Sequence, residues 1–350
     1  MGRHFLVVTW EGGGNVNPVL GLARALIDAG HTVSALATAS LADRLRDGGV
    51  SACTAAAGWL PDAAECRDTI EGDEPDVVVV DFMLTAALSA AEAATVPSVA
   101  LVHTLLGATT TDDGTPHPMF MCGPVEALNE VRSGLGLDPV EAVGDLLSRC
   151  DRVLVTAPAA LDVGTPGVNA DHVGALFEGP GTDAGWVPPP GPGPLVVVSV
   201  GTAGDAEREL ALLATILEAV APLRARVLVT IPDYLDAADL SPAENTVISG
   251  YVRHAAVMPH ADLLVTHAGL GSVSVALAHG VPMVCLPLDR EQPENGRAVE
   301  RIGAGIALPA DAAPQTVRAA IEQVLAGPRP TPIPPTPDAA VDILVSLIDT

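Results

Sequence analysis

Short apolar runs alternate with alanine-rich amphipathic stretches from the first residues of the chain. His4–Thr9 reads as a buried strand. A glycine-rich turn, Glu11–Asn15, follows. Asn17 then caps a helix that has Pro18 at its first position and runs to about Ala29, with Gly30 just past its end. Thr32–Ala37 is the next strand, completing a β-loop-α-β unit. Val77–Asp81 is a fully apolar strand that ends in a carboxylate. Thr85–Ala94 reads as helix, Ser98–Val102 as strand, Leu135–Cys150 as helix and Arg152–Thr156 as strand. Buried strands alternating with helices predict a parallel, doubly wound sheet.

The rhythm breaks at Gly174–Pro194, GALFEGPGTDAGWVPPPGPGP, whose proline and glycine density marks a linker. It restarts with strands at Leu195–Val200, Arg226–Ile231, Thr246–Ser249, Leu263–Thr266 and Met283–Leu288, and a helix at Ala206–Val220. The parse is two α/β domains, residues 1–178 and 195–350, joined by residues 179–194. A second proline-rich spacer, Arg329–Asp338, precedes a last amphipathic helix at Ala339–Ile348, which can pack back on the first domain. The least regular stretches, Trp59–Asp73 and Gly107–Gly123, are the candidate acceptor loops, with Met119, Phe120 and Met121 as an apolar lining.

Composition narrows the function classes. The chain has 350 residues, a net charge of −26 and no lysine, so its 17 basic residues are all arginine. Such acidity opposes binding to nucleic acid or anionic membranes. No apolar run approaches the roughly 18 residues that cross a bilayer, and the start is a poor secretory signal, so a soluble cytoplasmic protein is expected. Cys53, Cys66, Cys122, Cys150 and Cys285 are scattered without metal spacing and read as free thiols. A P-loop is impossible without lysine. G-x-G-x-x-G after the first strand, zinc spacing and a G-x-S-x-G elbow are absent from the sequence.

In open parallel sheets, ligands bind beyond the carboxyl ends of strands. The polar residues out of pattern lie at such ends: Gly12–Asn15, Asp81, Gly201–Thr202 and His267–Ser272. In the stretch THAGLGSVSVALAHGVPMVCLPLDREQPENGRAVERIGA, residues 266–304, His267 ends a strand. Gly269 and Gly271 let the backbone approach a ligand, and Ser272 opens a helix. An imidazole beside free helix N–H groups suits a diphosphate. Further on, Glu291 and Gln292 precede Pro293, a carboxylate and an amide suited to neighbouring sugar hydroxyls.

This stretch closely resembles the donor-binding signature of nucleotide-sugar-dependent glycosyltransferases of the GT-B fold. The similar branch is the bacterial one that acts on macrolides, enediynes and glycopeptides, related to UDP-glycosyltransferases. GGGNVNPVLGLARALIDAGHTV, EPDVVVVDFMLTAALSAAEAATVPSVA, VVVSVGT and GYVRHAAVMPHADLLVTHAG resemble other parts of the family, so the likeness covers essentially the whole chain.

The resemblance implies two Rossmann-like doubly wound α/β domains facing across a cleft, the first for the acceptor and the second for the donor. It implies inverting sugar transfer from a TDP- or UDP-sugar to a small natural product in antibiotic biosynthesis, with no metal and no cofactor beyond the donor. Tyr251, where the family often has tryptophan, would stack on the base, and the Val252 backbone would meet its edge. His254 stands at that motif's glutamine. His267, with the Gly271 and Ser272 region, would hold the diphosphate. Gly201 and Thr202 would close over the phosphates, and Glu291 and Gln292 would hold the sugar.

The chain departs from the family pattern at two positions. Where the family carries a histidine base in its opening turn, oriented by a strand-end aspartate, Asn15 stands; an amide accepts no proton at physiological pH. Asn15 can instead orient acceptor or sugar. Asp81 matches the aspartate. Replacement bases are Asp81 itself, a weak one unless burial raises it; Glu11 on the same loop; and His103 at the end of the Ser98–Val102 strand, whose imidazole suits the task. An acceptor that ionises readily needs none. Val275 stands where many members have a ribose-binding glutamate, with Ser274 beside it as a substitute, which tilts the donor toward TDP. Other functions left open are a catalytically silent nucleotide-binding partner protein and a nucleotide-sugar epimerase. Whether the chain forms a homodimer is open too.

Overall fold

A computed structural model describes residues 2–55, 60–109, 124–163, 168–177, 183, 185–201 and 204–348. The chain divides into two compact units, Met1–Phe177 with Pro335–Thr350, and Glu178–Pro334.

In the first unit, the described strands are β1 (His4–Val8), β2 (Thr32–Ala37), β3 (Ser51–Thr54), β4 (Val77–Asp81), β5 (Ser98–Val102), β6 (Arg152–Val155) and β7 (Ala170–His172). They form one parallel sheet in the order β3-β2-β1-β4-β5-β6-β7. Its helices are α1 (Val16–Asp28), α2 (Ala39–Asp47), α3 (Ala63–Asp73), α4 (Thr85–Ala93) and α5 (Val125–Gly134). β4 and β5 are buried along their whole length. That suits valine-rich strands covered on both faces, because β-branched side chains pack well on a pleated surface.

The second unit holds β8 (Leu195–Ser199), β9 (Arg226–Thr230), β10 (Thr246–Ser249), β11 (Leu263–Thr266), β12 (Met283–Cys285) and β13 (Gly305–Ala307), in the parallel order β10-β9-β8-β11-β12-β13. Its helices are α6 (Ala206–Val220), α7 (His254–Val257), α8 (Leu270–Ala278), α9 (Gln292–Arg301) and α10 (Pro314–Ala326). The final helix, α11 (Pro337–Ser346), belongs to the first unit. Ala340, Val341 and Leu344 of α11 join the core that α1 builds from Val19, Leu22 and Leu26.

Several expectations are corrected. The first helix starts at Val16 with Asn15 at its cap position, and Asn17 is exposed within the first turn. Leu135–Cys150 is not one helix. α5 ends at Gly134, Gly136 has φ +76, and a 3-10 segment, Val143–Arg149, follows. Most of Trp59–Asp73 is α3 rather than irregular loop. Met283–Leu288 pairs with β13 only as far as Cys285. Met119, Phe120, Met121, Trp59 and Cys122 lie outside the described residues. Among those described, no helix is long and apolar enough to cross a membrane, and Cys53, Cys66, Cys150 and Cys285 are free thiols.

Candidate functional site

Each sheet reverses its winding direction once, and each unit's candidate cluster lies at its own sheet's reversal. In the second unit the reversal falls between β8 and β11, which pair with Thr266 opposite Ser199. Loops leaving two neighbouring strands in opposite directions open a crevice at the carboxyl edge. Gly201 leaves β8 there with φ +110, and His267 leaves β11.

The imidazole of His267 lies between two glycines. A Cβ on Gly201 would come within 2.9 Å of its Cε1 and Nε2, and one on Gly269 within 2.7 Å of Nε2. These glycines are there for close approach, and at Gly201 also for the left-handed backbone. Ala268, between ring and helix, has φ +67, unusual for a residue with a Cβ. Asn295 on α9 holds it: its Nδ2 donates to the Ala268 carbonyl at 2.9 Å, and the side chain is fully buried.

Gly269 caps α8 in an extended conformation and offers no side-chain cap. The first N–H groups of that nine-residue helix therefore have no intrahelical acceptor, which makes its start favourable for an anion. Gly271 is exposed and Ser272 buried at that start. Ser274 is buried with its hydroxyl unpartnered among the described residues.

His254, the first residue of α7, points its Nε2 at the Ser199 hydroxyl at 3.2 Å. Burial lowers the pKa of both His254 and His267 to about 4, although a backbone hydrogen bond at Ser199 pulls that of His267 upward. Both rings are therefore neutral at pH 7, and a neutral imidazole donates through one nitrogen only. Tyr251 is 51% exposed, as a ring that stacks on a ligand must be, while Val252 beside it is buried.

Gln292 is committed within the protein. Its Oε1 accepts from the backbone N–H of Leu288 at 2.9 Å and of Asp289 at 3.2 Å, tying down the loop before α9. Glu291 sits at the α9 cap position and makes no side-chain cap bond. Thr202 lies outside the described residues. Glu209 on α6 is buried, accepts from the Tyr234 hydroxyl at 2.8 Å, and stands where a Cβ on Gly204 would strike it. Burial raises its pKa.

The first unit reverses between β1 and β4. Asn15 follows β1, Asp81 ends β4, and His103 follows β5. The structure joins these three side chains. Asn15 Nδ2 donates to Asp81 Oδ2 at 2.8 Å and to the Trp10 carbonyl at 2.7 Å, and its Oδ1 accepts from Gly12 N–H at 3.0 Å. Asp81 Oδ1 accepts from Met83 N–H at 3.0 Å and lies 3.3 Å from His103 Nε2. The Asn15 amide is thus used up internally.

Glu11 does not join them. It accepts from the Ser40 hydroxyl and lies 4.0 Å from Arg44, both on α2. Another buried carboxylate, Asp162, accepts from Leu106 N–H at 2.6 Å and Gly107 N–H at 2.9 Å and lies 2.9 Å from His172 Nε2. It fixes the turn that follows His103.

Asn295 and Asp162 escaped the sequence reading. Asn295 sits inside the 266–304 stretch, three residues after Gln292, while Asp162 belongs to no motif. The only available signal was an amide on the buried face of α9 and a carboxylate between two apolar segments.

Residues 214–331 match the family described as erythromycin biosynthesis protein CIII-like, C-terminal domain. The 4'-demethylrebeccamycin synthase of Lentzea aerocolonigenes is 35% identical over 139 residues, 39% of this chain and 32% of that one. The demethyllactenocin mycarosyltransferase of Streptomyces fradiae is 38% identical over 118 residues, 33% of this chain and 24% of that one. The matched segment thus spans about a third or less of the length of these relatives. Among solved structures, the spinosyn forosaminyltransferase SpnP superposes with a TM-score of 0.79 at 17% identity, covering 100% of both chains.

Proposed function

Starting from a GT-B glycosyltransferase fold whose second unit carries the erythromycin CIII-like C-terminal domain, we propose that this chain transfers a sugar from a nucleoside diphosphate donor to a small natural-product acceptor. The second unit binds the donor and the first the acceptor. The observation that carries this reading is the His267 imidazole held between Gly201 and Gly269 at the uncapped start of α8.

Leaving-group departure puts negative charge on the diphosphate. Fixed N–H donors aimed at that charge stabilise it without reorganising, and a lost donor of this kind costs about 10²–10³ in rate. The exposed Tyr251 ring takes the base by stacking. Glu291 serves the transferred sugar, while Gln292 holds the loop behind it. The reaction is a direct displacement that inverts the anomeric carbon, needing no cofactor beyond the donor. Val275, apolar where a ribose-binding carboxylate would stand, favours TDP over UDP.

Sugar transfer is the activity named for the Streptomyces relative and for the superposed structure. The test is product formation. The chain, incubated with TDP- and UDP-sugars and a panel of polyketide and aromatic acceptors, should yield a glycoside by mass spectrometry, and His267→Ala should slow its formation about 10²–10³-fold. Full activity in H267A would overturn the donor assignment.

A further inference from the structure

We infer that His103 is the general base for the acceptor, standing in for the missing imidazole of the opening turn and oriented by an Asn15–Asp81 pair. The inference rests on the transferase reading above and names the residue that completes it.

The argument begins with tautomers. An ionised carboxylate only accepts hydrogen bonds. Asp81 takes the Asn15 amide on one oxygen and the Met83 N–H on the other, so both oxygens act as acceptors. Facing that carboxylate at 3.3 Å, His103 Nε2 is the nitrogen that carries hydrogen, and Nδ1 carries the lone pair. The same division of labour makes a catalytic imidazole basic at one nitrogen and anchored at the other.

Access singles out His103. Asn15 and Asp81 are each 1% exposed, while the His103 side chain is 12% exposed. Of the linked side chains it is the one that reaches the surface, at the carboxyl edge beside the switch point. Its ring is wedged edge-on against Phe82, with centroids 4.9 Å apart, and the next turn is clamped by Asp162. A base fixed in this way avoids the entropic cost of being positioned for each turnover.

The step balances. Nδ1 takes the proton of the acceptor X–H as the X lone pair bonds to the anomeric carbon. The bond from that carbon to the diphosphate oxygen breaks, and its electron pair stays on the diphosphate. The imidazolium then returns its proton to water. Asp81 and Asn15 are positioning residues: they stabilise the charged ring and fix its tautomer.

The test uses the full chain with UDP- and TDP-glucose, and with 4-nitrophenol, benzyl alcohol and water as acceptors. His103→Gln keeps a donor toward Asp81 and removes the base. It should lower kcat by about 10²–10⁴ with benzyl alcohol and for donor hydrolysis, and by far less with 4-nitrophenol, which ionises unaided. The acidic limb of the pH–rate profile should vanish, and affinity for UDP and TDP should stay within about twofold. His103→Ala should regain benzyl alcohol transfer with added imidazole. Asp81→Asn should shift the acidic limb rather than erase it.

Unchanged kcat and an unchanged acidic limb in H103Q would overturn the assignment. So would wild-type chain that binds nucleotide yet turns over no acceptor, water included. Wild-type chain that binds neither UDP nor TDP would instead bring down the transferase reading itself.

Discussion

Gly269→Ala is a sharp perturbation of the donor site. The backbone there has φ −60 and ψ 135, which any residue adopts, so the new methyl brings no backbone strain. It brings a collision: the Cβ would lie 2.7 Å from His267 Nε2 and 2.9 Å from Cε1. Such contacts are comfortable near 3.5 Å, so the ring must move by roughly 0.8 Å. Displacing a binding group by about 1 Å can cost 10²-fold. We therefore expect UDP and TDP affinity to drop about 10- to 100-fold, or roughly 1.4–2.8 kcal/mol.

Stability should change little, because the ring can give way. Thermal unfolding checks this, and isothermal titration at pH 7.5 reads the affinity. The decisive control is the cycle with His267→Ala. Once the imidazole is gone the methyl has nothing to strike, so the double variant should bind no worse than H267A. Wild-type affinity in G269A, or two fully additive losses, would refute the cradle.

Other consequences follow from the same geometry. The fold should be acid-sensitive: His254 and His267 are held neutral with pKa values near 4, so the unfolded chain binds more protons. Their contribution is complete above about pH 6.5 and fades toward pH 4, up to about 3 kcal/mol each. His254→Gln, still able to bond Ser199, should move the acid-unfolding midpoint down. Glu209 works in the opposite direction. Its raised pKa gives stability that is present in acid and lost as pH rises above the ordinary carboxylate range. Glu209→Gln should flatten that loss in thermal melts. Asn295→Ala removes the bond to the Ala268 carbonyl. It should cost about 1–3 kcal/mol in denaturant unfolding and weaken nucleotide binding as the loop relaxes.

The elements readable from sequence were those with an apolar or β-branched run, or a helical stripe, bounded by turn residues, and even the half-exposed edge strand β10 shows such a run. β2, β4, β5, β10, β11 and α6 lie where apolar runs and periodicity place them. β3, with the exposed edge sequence SACT, offers no apolar run, and the three-residue β7 and β13 are too short to show alternation. α3 buries little beyond Cys66 and Ile70, so no stripe announced it. Leu135–Cys150 misled because leucines at helical spacing straddle Gly136 and Pro139, which end one helix and delay the next.

At the sites, chemistry at strand ends was legible, since strand order in parallel sheets brings such ends together. Joining Asn15 and His103 through Asp81 required three-dimensional register: Asp81 pairs with Leu101, two residues before His103. The clasp made by Gln292 and the support from Asn295 were illegible for a related reason. Both depend on which backbone atoms a loop turns toward a helix.

The most direct test of the donor site is a crystal structure of the chain with TDP or UDP bound. The diphosphate should lie within hydrogen-bonding distance of His267 and of the first amides of α8, with the base against Tyr251. A nucleotide seated in the first unit, or one in the second unit whose phosphates point away from Gly201 and Gly269, would contradict the account.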